Sequence, residues 1–483
     1  MMSEPKRLHP IAMILSAFKT IRQSIFSLLP IIILAVGNSA WFYIMMGAVV
    51  FIVLIILISV LTWLRFTYQL EDDQIRIEQG IFIRKKRTIS KHRIQSIDLS
   101  QNILHRLLGL TKVQIETAGS DHKIDASLHA VTMEEGKLVH DQLKYKRQFV
   151  TEEDITDDQE QEQTNELKYP SETISPKALL LAGSTSGSFG IILGLFGLAF
   201  SEVETFIPDQ LYNQASSWLF SQALQVLIVL SIITLIILWA MGIVLTVIQH
   251  WNFTITRYEK ELFITRGLLE KKQSTIPLKR IQAVGIKESI IRQPLGLATL
   301  YVEIASGEVG QSTETHTLLY PLIRKQKVEE FLNKLLPEYE YKQINWTNLP
   351  KRALPYYLFR MMIFPFLALI PVAIYFSQWI LAPLIVTVLA GLLGYFQYKT
   401  IGYKIEGENL FIQNRLLSRD TVLVKHRRLQ SFQKKQHILH RKQQLATLDT
   451  AILNKFVGRH LIVRELELDD VDRIADWYSY RDK

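Results

Sequence analysis

The chain has 483 residues, room for about three domains at roughly 150 residues each. Its residues are 48% hydrophobic and 21% charged, with a net charge of +9, and the apolar ones are gathered into long blocks set between charged ones. This excludes a mainly disordered chain and points to a membrane protein with aqueous domains, while the lack of cysteine excludes disulfide scaffolds, thiolate-bound zinc, iron–sulfur clusters and thiol nucleophiles.

Residues 1–64 read as an amphipathic start and a first transmembrane hairpin. Residues 23–64 carry no charge, too many for one crossing of a core about 30 Å thick, so Gly37-Asn38-Ser39 is placed as the turn between helices 24–38 and 41–64. Trp41 and Tyr43 suit one interface and Trp63 the other. Leu8, Ile11, Leu15 and Phe18 recur at helical spacing, so residues 8–21 either lie along the interface or simply extend the first helix. After a first polar block, 65–150, comes a linker, 151–168, strongly acidic and expected to be extended and disordered.

A second hairpin falls in 169–249, with helices at 178–200 and 223–247 and a loop holding Glu202, Glu204 and Asp209 but no basic residue. The polar block 250–340 follows. The third hairpin lies in 341–398, uncharged from Met361 to Tyr398, with Pro371 and Ser377-Gln378 dividing it; the last block is 399–483. Lys and Arg gather at the outer flanks of the hairpins (Lys6, Arg7, Lys19, Arg22, Arg65, Lys168, Lys177, Lys351, Arg352, Arg360) and are absent from the connecting loops. Basic flanks stay inside, so both termini and all three polar blocks are expected in the cytoplasm.

The three blocks repeat one another at offsets of 187 and 335. Arg93-Ile94-Gln95-Ser96, Arg280-Ile281-Gln282-Ala283 and Arg428-Leu429-Gln430-Ser431 coincide. Ile103-Leu104-His105-Arg106 recurs as Ile438-Leu439-His440-Arg441, and Leu108-Gly109-Leu110 as Leu295-Gly296-Leu297. A hairpin-plus-module unit has been triplicated. Within each module, Ile75-Arg76-Ile77, Leu262-Phe263-Ile264 and Leu410-Phe411-Ile412 alternate as half-buried strands do. Turns at Gln79-Gly80 and Arg266-Gly267 should reverse the chain into Ile81-Phe82 and Leu268-Leu269. Val113 with Ile115, and Leu300 with Val302, read as a further strand. Residues 133–147, 321–336 and 466–478 close the modules as helices, the second starting at Pro321. The fold class is an α-helical membrane protein with six transmembrane helices and three cytoplasmic β-barrel domains.

The two-helix unit, Gly80, Arg93-Ile94-Gln95 and Leu108-Gly109-Leu110, with Arg7-Leu8-His9-Pro10 at the start, resemble the bacterial pleckstrin-homology-like (PH-like) membrane proteins, in the triple-unit YdbT-type form. The resemblance implies a seven-stranded PH-like barrel closed by a C-terminal helix, no enzymatic activity, no cofactor, and a part in cell-envelope maintenance or antimicrobial resistance. It also implies a smaller two-span PH-like membrane protein as partner, or self-association. Arg415 in place of Gly80 and Gln444 in place of Gly109 depart from the pattern in the third copy.

The candidate lipid or partner surface comprises Arg93, Gln95, Arg280 and Gln282, and in the third copy Arg427, Arg428, Gln430, Lys434, Lys435, Arg441 and Lys442. No acidic residue lies between Asp420 and Asp449, so this block should attract anionic headgroups of the lipid bilayer, each charge adding on the order of 1 kcal/mol. The repeated Arg and Gln could equally pin a loop to its barrel by hydrogen bonds. Arg84-Lys85-Lys86-Arg87 is a second basic run, readable as headgroup-binding or as a solvated strand. His437 and His440 have no carboxylate in their block, so no metal site is expected, and no nucleic-acid partner. Gly183, Gly187, Gly190 and Gly194 stand four apart and read as helix packing rather than a phosphate loop. No catalytic constellation is identifiable. A binding or assembly platform is favoured over a transporter or lipid-handling protein because no ionisable residue lies within the spans; a lipid-sensing regulator fits the same sequence.

Overall fold

Among the described residues each module shows seven strands and a closing helix, and the first of those strands lies ahead of its apolar hairpin. A computed structural model describes residues 4–35, 41–71, 73–117, 126–144, 169–186, 224–305, 316–342, 345–454 and 458–479. The first strands are Lys6–Arg7, Ser171–Thr173 and Thr347–Asn348. Each pairs antiparallel with the strand that follows its hairpin, as Lys6↔Tyr68, Glu172↔Ile255 and Thr347↔Tyr403. The modules therefore begin earlier than 65, 250 and 399, and each hairpin is an insertion between two paired strands. Strands this short carry no alternation to read in sequence.

The chain divides into two compact units. One holds residues 1–168 with 269–275 and 308–310; the other holds 169–268, 276–307 and 311–483. In the first unit, strands Thr67–Glu71, Gln74–Gln79 and Lys85–Ser90 extend Lys6–Arg7 into a four-stranded sheet, and Ile94–Gln101, Leu110–Thr117 and Ala126–Thr132 pair in sequence as a second. Residues 271–273 pair with Leu99–Gln101 on its outer edge. Ile75, Ile77, Ile97, Val113, Ile115 and Leu128 fill the core, closed by Val139 and Leu143 of helix Met133–Lys144. Leu8 and Ala12 enter the same core, and the Trp63 indole donates to the Leu8 carbonyl at 2.9 Å. The start of the chain is thus part of the barrel, and continues as one helix, Ile11–Ala35, as the extension of the first helix.

In the second unit, strands Gly402–Glu406, Asn409–Arg415 and Arg419–Lys425 of module 3 join Ile281–Glu288, Leu297–Ile304 and Thr317–Arg324 of module 2 in one sheet. The junction pairs Ile281–Glu288 with Arg419–Lys425. Alternation then supplies two cores from one surface: Val284, Ile286, Phe411 and Leu423 face the module 2 core, while Ala283, Leu410, Ile412, Val422 and Val424 face that of module 3. Such strands are buried on both faces and read as nearly continuous apolar runs. Module 3 ends with its own three-stranded sheet, Leu429–Lys435, Leu445–Ile452 and Arg459–Glu467, and helix Leu468–Ser479.

Pro321 lies inside the outermost strand Thr317–Arg324, where its missing N–H leaves no central ladder bond unmade, and the closing helix starts later, at Val328. Val328, Phe331, Leu332 and Leu335 make its buried stripe. Ile81-Phe82 and Leu268-Leu269 belong to the turns themselves; the next strands begin at Lys85 and Lys271.

Among the described residues, four helices are long and apolar enough to cross a membrane: Met45–Arg65, Ile228–His250, Lys351–Tyr375 and Leu381–Thr400. Pro371 does not end its helix, which runs Leu354–Tyr375 past Pro365 and Pro371 before the turn Ser377–Trp379. Helix Pro176–Ser184 approaches Leu224–His250 closely at Gly183, where a Cβ would stand 3.1 Å from the Ile243 Cα. Gly187, Gly190, Gly194 and the linker 151–168 lie outside the described residues.

Gly80 holds φ +114°, and a Cβ there would stand 2.0 Å from the Ile83 carbonyl oxygen. Gly80→Val is therefore expected to destabilise module 1 by about 2–3 kcal/mol, read as a lowered unfolding midpoint of the purified protein. An unchanged midpoint would reject this turn geometry.

Candidate functional site

The recurrent Arg-x-Gln sits where a single 3-10 turn links the two sheets of each module: Lys91–Arg93, Leu278–Arg280 and His426–Arg428. In module 2 the Arg280 Nε donates to the Ala305 carbonyl at 3.1 Å, and the Ala305 N–H donates back to the Arg280 carbonyl at 3.0 Å. Buried Gln282 donates through Nε2 to that same Arg280 carbonyl at 3.1 Å. Here the pair fastens the turn to a strand end. Arg93 is exposed at the end of its turn and Gln95 lies in the strand that follows.

In module 3 the basic block finds acids that the linear sequence keeps far away. Arg427 and Lys425 both reach Glu338, at 3.2 and 3.3 Å. Lys434 pairs with Asp472 at 2.5 Å, and Lys435 with Asp449 at 2.7 Å. Burial alone would raise the Asp449 carboxyl, but Lys435 and His460 hold it below the usual aspartate range. Arg428 is half-buried and Gln430 exposed. Beside Arg428, burial pushes the Tyr339 hydroxyl up to about 12, and it donates to the Ile281 carbonyl at 3.0 Å. The fold divides the block in two: Lys434 and Lys435 lie on a sheet edge, whereas Arg441 and Lys442 are exposed on the helical turn Ile438–Lys442.

Sequence reasoning missed two features. One is apolar: every module exposes a pair of large hydrophobic residues at the tip between its third and fourth strands. Phe82 is 97% and Ile83 74% exposed, and Leu268 with Leu269, and Leu416 with Leu417, repeat the pattern. The tips of modules 2 and 3 adjoin the ends of apolar helices. The Leu268 N–H donates to the Ile248 carbonyl at 2.9 Å, and Arg415 donates to Thr400 Oγ1 at 3.2 Å. A second apolar tip recurs on the helical turn, at Ile103 and Leu104, Ile290 and Ile291, and Ile438 and Leu439. The motif was visible as a repeat; its exposure was not.

The other feature is buried and charged. Within the second unit, Arg459 reaches Glu303, Asp420 at 2.6 Å and the Tyr301 hydroxyl at 2.9 Å, and Tyr301 donates to Asp420 at 2.7 Å. His316 completes the group on Glu303, whose side chain has no exposure. Gly285 makes room for it, since a Cβ there would overlap the Tyr301 ring. The third residue of the helical turn is also buried in every copy, as His105, Arg292 and His440. Arg292 donates to the Ala182 carbonyl at 2.9 Å, Thr185 Oγ1 at 3.0 Å and the Pro321 carbonyl at 3.2 Å, as well as to Thr299, which ties helix Pro176–Ser184 to the barrel. These groups join distant segments, although Glu303 Oε2 and both ring nitrogens of His440 are buried without a hydrogen-bond partner.

The family described as Bacterial PH domain matches residues 20–147, 209–339 and 359–482. The chain is also 36% identical, over 99% of its own length and 99% of the relative's, to the UPF0699 transmembrane protein YdbT of Bacillus subtilis (strain 168).

Proposed function

This chain belongs to the bacterial PH domain family, and on that premise we propose that it is a non-enzymatic protein of the bacterial cytoplasmic membrane whose three modules form an assembly platform against the inner leaflet. It spans six times, with both termini and all modules cytoplasmic, as the basic flanks favour. The observation that carries the reading is the thrice-repeated exposed apolar tip, which in modules 2 and 3 stands beside helix ends. Monomeric aqueous domains rarely expose such residues in groups, and a leaflet already reached by the adjoining helices is their natural cover. Arg441 and Lys442, next to exposed Ile438 and Leu439, would then meet headgroups.

The lack of cysteine permits a direct test. Spin labels placed singly at Phe82→Cys, Leu269→Cys and Leu417→Cys, in protein reconstituted in anionic nanodiscs, should be accessible to oxygen and shielded from a water-soluble nickel reagent. A label at Lys342→Cys should show the reverse. Tips as nickel-accessible as residue 342 would defeat the leaflet seating.

A further inference from the structure

One bulge recurs in the outermost strand of every module, and its contents change in the third. The register slips there between Thr111↔Val131 and Val113↔Leu128, between Ala298↔Ile323 and Leu300↔Tyr320, and between Ala446↔Leu466 and Leu448↔Val463. The first bulged residues are therefore His129, Pro321 and Arg464, and the second are Ala130, Leu322 and Glu465. Ala130 and Leu322 are buried apolar side chains, whereas Glu465 is an equally buried carboxylate. Its backbone also departs, with φ +56°, a left-handed conformation that residues bearing a Cβ rarely adopt.

The carbonyl of the first bulged residue is an anchor in all three copies. In modules 1 and 2 the buried residue of the helical turn holds it, His105 at 2.9 Å and Arg292 at 3.2 Å. In module 3 the Tyr357 hydroxyl of helix Leu354–Tyr375 donates to it at 3.0 Å, and both ring nitrogens of His440 are buried without a hydrogen-bond partner. His440 Nε2 stands instead 3.7 Å from Glu465 Oε1, which Arg360 of the same helix already holds; Glu465 Oε2 has no hydrogen-bond partner. Arg352, Tyr356 and Arg360 follow one another at intervals of one helical turn, and they meet Glu467 at 2.7 Å, the His440 ring at 5.4 Å and Glu465. The helix is thus moored to module 3 along one face.

The middle of that face titrates. Burial, and then His437, lower the His440 ring below the usual histidine value of 6.5, with Glu465 opposing and Arg360 adding to the depression. Tyr356 also faces the ring, and Tyr357 and Arg464 lie around Glu465. A neutral ring makes no claim on the carboxylate. A protonated one offers an N–H to Glu465 from about 1 Å beyond hydrogen-bond distance, and it is buried, whereas the Arg360 side chain is a third exposed and can turn away to water. Exposed His437, its ring centroid 3.6 Å from that of His440, gives the proton a path from solvent.

We propose that His440 and Glu465 form a proton-binding site that latches module 3 to helix Leu354–Tyr375: closed while Glu465 belongs to Arg360, and released when His440 takes a proton from water and draws Glu465 to itself. Because the closed state favours the neutral ring, latching is complete above pH about 6.5 and is lost as pH falls through the lower value of the closed state, by at most about tenfold per pH unit for one proton. The latch needs no contact between the apolar tips and the leaflet, so it and the platform reading can fail separately.

Hydrogen exchange of the full-length protein in nanodiscs of neutral lipid tests this, with each rate divided by that of an unstructured peptide at the same pH. Between pH about 7.5 and about 5.5, opening over residues 354–362 and 459–467 should rise about tenfold, while strand Asn409–Arg415 keeps its protection and reports an intact module 3. His440→Met should abolish the rise and leave the latch closed, and His440→Gln should do the same. Glu465→Gln, which keeps His440 and so still reads the site if either histidine change disturbs the fold, should leave both segments open at both pH values. Exchange that is unchanged or slower on acidification of the native protein would overturn the latch. A rise that survives both His440 variants would overturn the assignment to His440, and segments that stay closed in Glu465→Gln would show that Glu465 is not the tie.

Discussion

Arg459→Met is expected to lower the stability of the second unit by about 3–5 kcal/mol, because it strands buried Glu303 and half-buried Asp420 without their shared cation. Burial by itself raises Glu303, but His316 and Arg459 more than reverse this and hold its carboxyl below the usual glutamate range. A depressed folded value means that the stabilisation is complete above the unfolded glutamate pKa of about 4.3 and is lost as pH falls through the lower folded value. Unfolding midpoints should therefore drop on acidification below pH about 4 in the native protein, and Glu303→Gln should flatten that dependence. Replacing Arg459, Glu303 and Asp420 together by apolar residues should recover most of the loss, since such networks contribute more to pairing choice than to net stability. Equal destabilisation in the triple variant would show that burial of the group, rather than its pairing, governs.

Arg292→Met should cost about 3–5 kcal/mol and act on the helix entry rather than on the barrel alone. Its partners are neutral oxygens, and burial pulls the guanidinium down to about 10, still charged at neutral pH. Removing it takes the charged donor from the Ala182 and Pro321 carbonyls, which keep the longer Thr185 and Thr299 hydroxyl bonds at 3.4 and 3.3 Å. Hydrogen exchange over residues 176–186 should accelerate markedly, with little dependence on salt because no opposite charge is involved. Arg292→Lys should not restore protection, since an ammonium cannot reproduce the planar fork. Protection that survives Arg292→Met would leave helix packing at Gly183 as the sufficient link.

The repeat itself was legible, and so was the alternation of Ile75 with Ile77 and of Leu262 with Ile264, because one buried face imposes period two. The two-residue first strands were not, since Lys6 and Arg7 are exposed and carry no pattern. The shared sheet was only half legible: the unbroken apolar run of Ile281–Glu288 signals burial on both sides but does not say what covers the second one. The charge balance of the candidate patch was hidden for the same reason. Residues 420–449 hold no internal acid, yet Glu338 and Asp472 arrive from elsewhere in the chain. Arg459, Glu303 and Asp420 come from three strands far apart in sequence, and nothing local marks them as one group.

The placement of each hairpin between two paired strands also orders the events of synthesis. Lys6 and Arg7 leave the ribosome well before their partners Tyr68 and Thr67, and the whole first hairpin emerges in the interval. The first barrel cannot close until both apolar helices have been made and their ends brought back together. Closure of the sheet thus waits on the intervening hairpin: while its ends stay apart, the sheet keeps an open strand edge, the kind of defect that chaperones and proteases recognise.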